Sequence, residues 1–384
     1  MPASSRSQNA ATCQPVLPFE ILFAITNELA DDRKTLLVLL LVSPSFNKCA
    51  LGHIYREICL SPNSPLGLKD GPRFRRLLHG IETNPGLRFV RSFAFRIIPC
   101  FTYKKDNTNQ ILRVIPLLHN VRRLSLDFAP PEGAGCAILP LIPRSAGLTS
   151  LALHQHLCRP GDLIRLRERH PMLTSLTVTS GPLLADAAVQ PSTFPNLRSL
   201  GLLVEDILRI TSLPSLLDLS VYGTVDVAAA RHIVGAFPVL RTLSLSVDPA
   251  FGAISSLTAG LPRLEYLSAS VDVHDIGTIP GDYARAVSAP AQSKLKYLRF
   301  RTSNHSYNYD DVRFVFDSVK TMVVLDMILD FEELRFTRDL AQPSKLARRS
   351  SKAWSQWWEQ EEEVVECAVL KYESSRTMVS GHNL

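Results

Sequence analysis

A phrase of alternating apolar and polar residues recurs along most of the chain. Its fullest form is Pro-x-Leu-x-x-Leu-x-apolar, which occurs at 171–178, 195–202, 214–221, 238–245 and 262–269. Looser copies flank these, and the central apolar residues of all the copies are 19 to 31 residues apart. They are Phe93, Leu124, Leu151, Leu176, Leu200, Leu219, Leu243, Leu267 and Leu298. The Leu-x-Leu alternation predicts a short strand with one buried face in each copy.

Segments with helical spacing of apolar residues lie between these strands. In each, apolar residues are three and four positions apart, at 107–118, 162–169, 225–237, 251–261 and 310–320. A single strand and helix cannot bury their apolar faces alone, so the units are expected to stack around one continuous core. The proline before each copy limits the preceding helix, because it disfavours helical geometry one residue upstream.

The repeated phrase resembles a leucine-rich repeat over roughly residues 85–330. The resemblance implies an α/β horseshoe whose strands form its concave face, while an ordinary α/β domain with leucine-rich strands is the alternative. The family phrase usually ends in Asn or Cys three residues after the last strand leucine, and this chain has no such Asn. Thr224, Asp248, Asp272 and Ser303 are expected to hydrogen-bond the turn backbone in its place.

Residues 15–60 break the repeat and predict a compact module of three helices. Apolar residues at helical spacing run over 17–29, 36–40 and 46–55, and Pro18 suits the first turn of a helix. So small a module carries more apolar side chains than its own core encloses, which leaves some for a partner. The alternative is that they all pack against the first repeat.

The same segment resembles an F-box. The sequence LPFEILFAITNEL, followed by TLLVLLLVSPSFNKCALGHIYREICL, matches Leu-Pro-x-Glu-Ile/Leu-Leu, a distal Leu and a leucine-rich helix ending in Val-Ser. The joint from Tyr55 to Ile58 is similar to that of the large fungal class in which leucine-rich repeats follow an F-box. The resemblance implies binding to a Skp-type adaptor, and through it to a cullin and a ubiquitin ligase. It assigns adaptor binding to Leu17, Pro18, Ile21, Leu22, Leu36, Leu39, Val42, Ser43 and Phe46.

These patterns predict an α/β fold with an N-terminal three-helix F-box, a leucine-rich-repeat solenoid and a C-terminal helix. The expected divisions are a disordered N-terminus (1–14), the F-box (15–60), a linker or capping helix (61–84), the repeats (85–330) and a helical cap and tail (331–384). The tail places Trp354, Trp357 and Trp358 on one helical face. This spacing favours a helix that covers the open end of the solenoid, and a partner-binding helix is the alternative.

Composition and charge narrow the function classes. A hydrophobic content of 46% and a charged content of 20% exclude a mostly disordered or collagen-like chain. The net charge of +6 is too small to indicate a nucleic-acid partner, although basic residues gather between positions 69 and 123. The sequence has no apolar run long enough for a bilayer, no apolar signal segment and no CxxC pair. We therefore expect no membrane partner and a cytoplasmic or nuclear location.

The sequence carries no motif of a catalytic or cofactor site. Gly-x-Ser-x-Gly, P-loop, His-Glu-x-x-His and dinucleotide-binding patterns are all absent, so we expect neither an enzyme nor a cofactor. The sequence brings together three residues of types that bind metals, His154, His156 and Cys158, but no fourth ligand is near them. We therefore do not predict a metal site there.

The concave face is expected to bind an unknown protein target. Most of its alternating residues are small, so the larger His154, Tyr222, Arg299 and Arg301 are the tentative anchors. The predicted function is target recognition for a Skp–cullin–F-box ligase. The alternative is a non-catalytic leucine-rich-repeat scaffold without a ligase role.

Overall fold

A computed structural model describes most of the chain from Leu17 to Ser351. The described residues are 17–30, 32–60, 80, 85–96, 105–128, 138–144, 147–154, 160–179, 194–247, 252–271, 294–302, 309–329, 332–338 and 346–351. Within these ranges the side chains of some residues, Arg301 among them, are outside the description. The predicted N-terminal segment 1–14 and, apart from Gly80, the predicted linker 61–84 lie outside the described residues.

Three helices open the described chain. They are α1 (Phe19–Glu28), α2 (Arg33–Val42) and α3 (Pro44–Ile54). The carboxylate of Asp32 caps α2 by accepting from the backbone N–H of Thr35 at 3.1 Å. The hydroxyl of Ser43 caps α3 by accepting from the backbone N–H of Phe46 at 3.2 Å. The two caps satisfy free backbone N–H groups at the points where α2 and α3 begin.

The rest of the described chain contains one sheet of thirteen strands, and each strand pairs with its neighbours in chain order. The strands are β1 (Glu57–Leu60), β2 (Ser92–Arg96), β3 (Arg123–Asp127), β4 (Ser150–His154), β5 (Ser175–Val178), β6 (Ser199–Leu203), β7 (Asp218–Val225), β8 (Thr242–Val247), β9 (Tyr266–Val271), β10 (Tyr297–Thr302), β11 (Val324–Leu329), β12 (Glu332–Arg338) and β13 (Leu346–Ser351). Strands β1 to β11 are parallel, and β12 and β13 are antiparallel to their neighbours. Parallel pairing in strict chain order is the geometry of a solenoid.

Helices connect the parallel strands. They are α4 (Lys105–Val114), α5 (Pro160–Arg169), α6 (Val204–Ile207), α7 (Val227–Ala236), α8 (Gly252–Gly260) and α9 (Tyr309–Ser318), with short 3-10 helices at Pro85–Phe89, Ile115–Leu117 and Leu139–Leu141. The five helices predicted from apolar spacing are confirmed, and each begins within two residues of its predicted start. None of the helices in the described ranges is long and apolar enough to cross a membrane.

The central apolar residues of the repeated phrases lie side by side in the sheet. Phe93 pairs with Leu124, and the pairing continues through each central residue to Leu298. The row extends to Ile58 in β1 and to Leu325 in β11. From Phe93 to Leu325 no member is more than 4% exposed. We call this row the apolar column, and it confirms both the repeat units and their continuous core.

The proline of each full phrase has a role that its spacing did not reveal. The backbone N–H of Leu173 donates to the carbonyl of His170 at 3.2 Å, and that of Leu240 donates to the carbonyl of Phe237 at 3.3 Å. The same bond recurs in every full copy of the phrase. The proline is therefore the second residue of a β-turn, where its fixed φ is already suitable.

The helical cap predicted for 331–384 is wrong for its first part. β12 and β13 instead continue the sheet, and Phe336 pairs with Leu325 at the end of the apolar column. Leu334 and Phe336 are buried while Arg335 between them is exposed, which is the two-residue period of a strand. The tryptophans of the predicted tail helix lie outside the described residues.

The polar residues expected to support the turns are only partly described. Asp248, Asp272 and Ser303 lie outside the described residues, and Thr224 lies within β7. Support comes instead from the other end of the strands. Asn196 donates through Nδ2 to the carbonyl of Pro171 at 3.1 Å, and other side chains near this end also bond the preceding repeat.

Helices α7 and α8 pack closely because glycines of α8 face valines of α7. A Cβ atom added at Gly260 would lie 2.5 Å from Cγ1 and 3.1 Å from Cβ of Val234. Valine is stiff at χ1 and cannot easily move aside. Gly235, near the end of α7, is a useful contrast, because a Cβ atom there would meet nothing within 4 Å.

We predict opposite effects for the two glycine substitutions. Gly260→Ala should lower the free energy of unfolding by about 1–3 kcal/mol through overpacking. Gly235→Ala should raise it by roughly 0.5–1 kcal/mol, because alanine is the better helix former. Urea denaturation of the full chain measures both. Equal effects of the two substitutions would contradict close packing at Gly260.

Candidate protein-interaction surfaces

The first two helices expose much apolar surface. Among the described residues, nine of the thirteen large exposed apolar side chains lie between positions 17 and 42, and they are 36% to 88% exposed. They are Leu17, Phe19, Ile21, Phe23, Ile25, Leu37, Val38, Leu41 and Val42. We call them the apolar helix surface. Exposed apolar residues at this density usually mark an interaction site.

The composition of α2 explains this exposure. Its sequence from Thr35 to Val42 is apolar apart from its first residue, yet among the described elements α1 and α2 pack chiefly on α3. A helix with apolar residues on all sides is normally buried on all sides. Here only one side of α2 is covered, and Leu36 is its one fully buried side chain.

The structure separates the predicted adaptor-binding residues into three groups. Leu17, Pro18, Ile21 and Val42 are exposed, and Leu39, Ser43 and Phe46 are half-buried. Leu22 and Leu36 are 4% and 1% exposed, so their side chains hold the helices together and present no surface. Phe19, Phe23, Ile25, Leu37, Val38 and Leu41 are also exposed and were not among the predicted residues.

The open face of the sheet lies opposite the apolar column. One row of this face contains the residue after each central apolar residue, and adjacent members pair in register. Its members are Cys59, Ala94, Ser125, Ala152, Thr177, Gly201, Ser220, Ser244, Ser268, Arg299 and Asp326. The row thus changes from small residues to charged ones at β10.

A cluster of aromatic and charged side chains occupies this charged end. The rings of Tyr266 and Tyr297 stack with centroids 4.5 Å apart and an angle of 10°. Asp326, 1% exposed, accepts from Nε and Nη2 of Arg335 at 2.7 Å each and from the hydroxyl of Tyr297. Arg299 neighbours Asp326 in the row. We call these five residues the tyrosine–arginine cluster.

Burial fixes the protonation of the two tyrosines. It raises the pKa of Tyr266, with a smaller rise from Asp326, while Arg299 acts in the opposite direction. Burial followed by the charge of Asp326 also raises the pKa of Tyr297. Tyr297 is therefore a neutral donor to Asp326 at neutral pH. The hydrogen bond to Asp326 is the main cause that raises the pKa of Arg335.

His154 and Tyr222 meet on the open face. Their rings make an edge contact with centroids 6.2 Å apart, and Nδ1 of His154 lies 3.1 Å from Oγ1 of Thr179. Tyr222 lies where β7 shifts register against β8, beside Gly223, whose φ of 102° suits glycine. Such irregularities redirect side chains in a sheet.

The structure therefore brings together two of the four predicted target anchors. Arg299 is 7% exposed and lies within the tyrosine–arginine cluster. The backbone of Arg301 lies between Ser270 and Ile328, while its side chain is outside the description. The exposed Arg335 was missed, because its segment was predicted to be helical.

His156 and Cys158 lie outside the described residues. Within the described part of the chain, no group of three or more His, Cys, Asp or Glu side chains is placed to hold a metal ion.

Comparison with known proteins found a match among solved structures and none among protein families or curated proteins. No family model matches the chain, and no curated protein does. A solved structure that matches is the leucine-rich repeat-containing protein LegL7 from Legionella pneumophila, at 11% identity and a TM-score of 0.40. The match covers 71% of this chain and 90% of that chain. The likeness of this chain to leucine-rich repeats therefore rests on its own repeated phrase and on the register of its strands.

We predict that the two stacked tyrosines make stability fall at alkaline pH. The pKa values of both tyrosines are raised in the folded protein. Their contribution to the unfolding free energy is therefore complete below the pKa of tyrosine in the unfolded chain, near 10, and decreases as the pH rises above it. Between about pH 9 and 11 the wild type should lose roughly 1–3 kcal/mol more unfolding free energy than Tyr266→Phe/Tyr297→Phe. Urea denaturation at each pH measures this, and parallel pH dependence of the two proteins would contradict it.

Proposed function

We propose that this protein is the target-recognition subunit of a Skp–cullin–F-box ubiquitin ligase. In this proposal residues 15–60 bind a Skp-type adaptor, the leucine-rich repeats bind a protein target, and the chain itself has no catalytic role and no cofactor. The observation that carries the proposal is the apolar helix surface. It lies in the segment whose sequence resembles an F-box.

The size of the apolar helix surface supports a stable complex. Its nine side chains are mostly about half exposed. Complete burial of such a side chain contributes about 1.5–3 kcal/mol, so covering the remaining halves contributes roughly 10 kcal/mol before the costs of association. Association itself costs about 4–15 kcal/mol, so this gain offsets a large part of that cost and does not by itself give the affinity.

The connection between helices and sheet supports a receptor that holds its two partners in fixed orientation. Only Tyr55 and Arg56 separate α3 from β1, and β1 pairs directly with β2. Helix α3 also packs on the 3-10 helix at Pro85–Phe89. A target on the sheet would therefore stay at a fixed distance from the adaptor, which raises its effective concentration near the transferring enzyme.

The distribution of small and large side chains on the open face supports target binding. Small residues along most of the row leave room for a peptide. On the same face, the larger side chains of Tyr222 and Arg335 remain accessible. Tyr and Arg are enriched among residues that dominate binding energy. We assign the target contact to these two residues.

The alternative function is a leucine-rich-repeat scaffold that joins two partners without ubiquitin transfer. The apolar helix surface favours a partner in both cases. The two functions differ in the consequence of binding, because only the ligase role shortens the lifetime of a bound protein.

We predict that exposed positions in the first helices determine adaptor binding. Leu17→Ala/Ile21→Ala/Val42→Ala should weaken binding of a purified Skp-type adaptor at least about tenfold, since each change removes exposed apolar area. Calorimetry with the full chain measures the affinity.

The matched control is Ile164→Ala/Met172→Ala/Leu208→Ala, which removes exposed apolar side chains from the repeats. It should leave adaptor affinity within about twofold. Absence of binding by folded wild type, or equal loss in the control, would sink the adaptor assignment.

We predict that bound targets disappear faster when the adaptor site is intact. Proteins that co-purify with the wild-type chain should have shorter half-lives in cells expressing it than in cells expressing the Leu17/Ile21/Val42 alanine variant. Pulse-chase labelling measures these half-lives. Equal half-lives with both chains would favour the scaffold function.

A further inference from the structure

Three arginines occupy equivalent positions at one edge of the sheet. Arg56, Arg91 and Arg122 each directly precede a strand, β1, β2 and β3 in turn. The N–H of Arg91 donates to the carbonyl of Arg56 at 2.9 Å, and that of Arg122 donates to the carbonyl of Arg91 at 2.7 Å. Their backbones are therefore spaced like adjacent strands, about 4.8 Å apart. We call them the arginine ladder.

The arginine ladder carries charge that the described residues around it do not neutralise. All three side chains are exposed, and none forms an ion pair with a described residue. Cations elsewhere on these strands are compensated: Arg123 pairs with Glu57, and Arg96 pairs with Asp127 at 3.3 Å. Positive charge is thus concentrated at the edge where the strands begin.

The fold does not require arginine at these positions. Thr149 and Thr174 hold the same position before β4 and β5. Their hydroxyls donate to the carbonyls of Arg122 and Thr149, each at 3.1 Å. Three adjacent exposed cations repel one another slightly, so the ladder costs some stability where threonine would add a hydrogen bond.

We propose that the arginine ladder binds a segment rich in aspartate and glutamate on a partner protein. Guanidinium groups bind carboxylates through two parallel hydrogen bonds. Carboxylates on successive helical turns are about 5–6 Å apart, close to the spacing of the ladder. The proposal does not depend on adaptor docking, because it concerns the edge of the repeats.

The chain's own acidic segment is an unsuitable occupant. Residues 359–366 contain five glutamates, but they begin eight residues after the end of β13. Eight residues span at most roughly 27 Å, whereas β13 and β3 are about 48 Å apart along the sheet, so this segment cannot lie along the ladder as a whole. A separate partner is therefore favoured.

A nucleic acid is a poorer match than a protein segment. Proteins that bind single strands present aromatic faces for base stacking. Close to the ladder in sequence, Tyr55 is half-buried, and the guanidinium of Arg88 covers Phe89 at 4.7 Å from the ring centroid. Among the described residues next to the ladder, neither of these rings is fully open for stacking.

The test compares two full-length variants with the same loss of charge. Arg56→Thr/Arg91→Thr/Arg122→Thr removes the ladder and uses the residue that the chain itself has before β4 and β5. The control is Arg198→Thr/Arg241→Thr/Arg263→Thr, which also removes three exposed arginines. Arg198 and Arg241 directly precede β6 and β8 but are not adjacent to each other, and Arg263 lies in the turn before β9, so the control tests whether three neighbouring cations are needed.

The probe is a fluorescein-labelled octaglutamate peptide, and anisotropy measures its affinity at low salt and at roughly 0.3 M salt. We expect the ladder variant to bind about tenfold more weakly at low salt and the control to stay within about twofold of wild type. No binding by wild type, or equal loss in both variants, would overturn the proposal. Tighter, ladder-dependent binding of a labelled DNA duplex would overturn it in favour of a nucleic acid.

Discussion

The alignment of one strand with the next is the constraint on which the other features of this molecule depend. The residue before each of the strands β1 to β10 accepts two backbone hydrogen bonds from the following repeat. The carbonyl of Arg198, for example, receives the N–H groups of Leu217 and Asp218 at 2.8 and 2.9 Å. This bond fixes the register, and a shift by one residue would exchange the two faces of a strand. The apolar column, the row of small residues and the arginine ladder are three consequences of the same alignment.

The two ends of the solenoid are covered by different structural elements, helices at the first end and antiparallel strands at the other. At the first end, β1 follows α3 so closely that the helices become part of the same body as the sheet. At the other end, β12 reverses direction and places Phe336 against Leu325, which covers the last member of the apolar column. An antiparallel strand achieves this cover without a crossover helix. Both arrangements shield the core, and among the described residues extensive exposed apolar surface lies at the first end.

The sequence predicted those features that depend on a local period, and it failed where contacts between distant segments decide. The apolar column was predictable because each copy from Phe93 to Leu298 carries the same phrase. The strand of Leu334 and Phe336 was missed because its alternation is short and a stronger helical signal follows it. Helical spacing also did not show that Leu36 is buried while Leu37 is exposed, because packing on α3 determines which side of α2 is buried. The burial of Arg299 arises from its neighbours on β9 and β11, which only the register reveals.

The apolar helix surface and the arginine ladder differ in the physics of binding, although they lie at the same end of the molecule. Contacts to the helices gain free energy mainly by removing apolar area from water, a contribution that salt scarcely weakens. Contacts to Arg91 and Arg122 are between exposed charges, which salt screens and which act over about 10 Å. Charges of this kind speed encounter and orient a partner more than they prolong a complex. Arg56 lies between α3 and β1, and α3 packs on the 3-10 helix at Pro85–Phe89, so the two surfaces are close together in the same part of the fold. An acidic partner drawn to this edge would therefore arrive beside the apolar helices with its orientation already restricted.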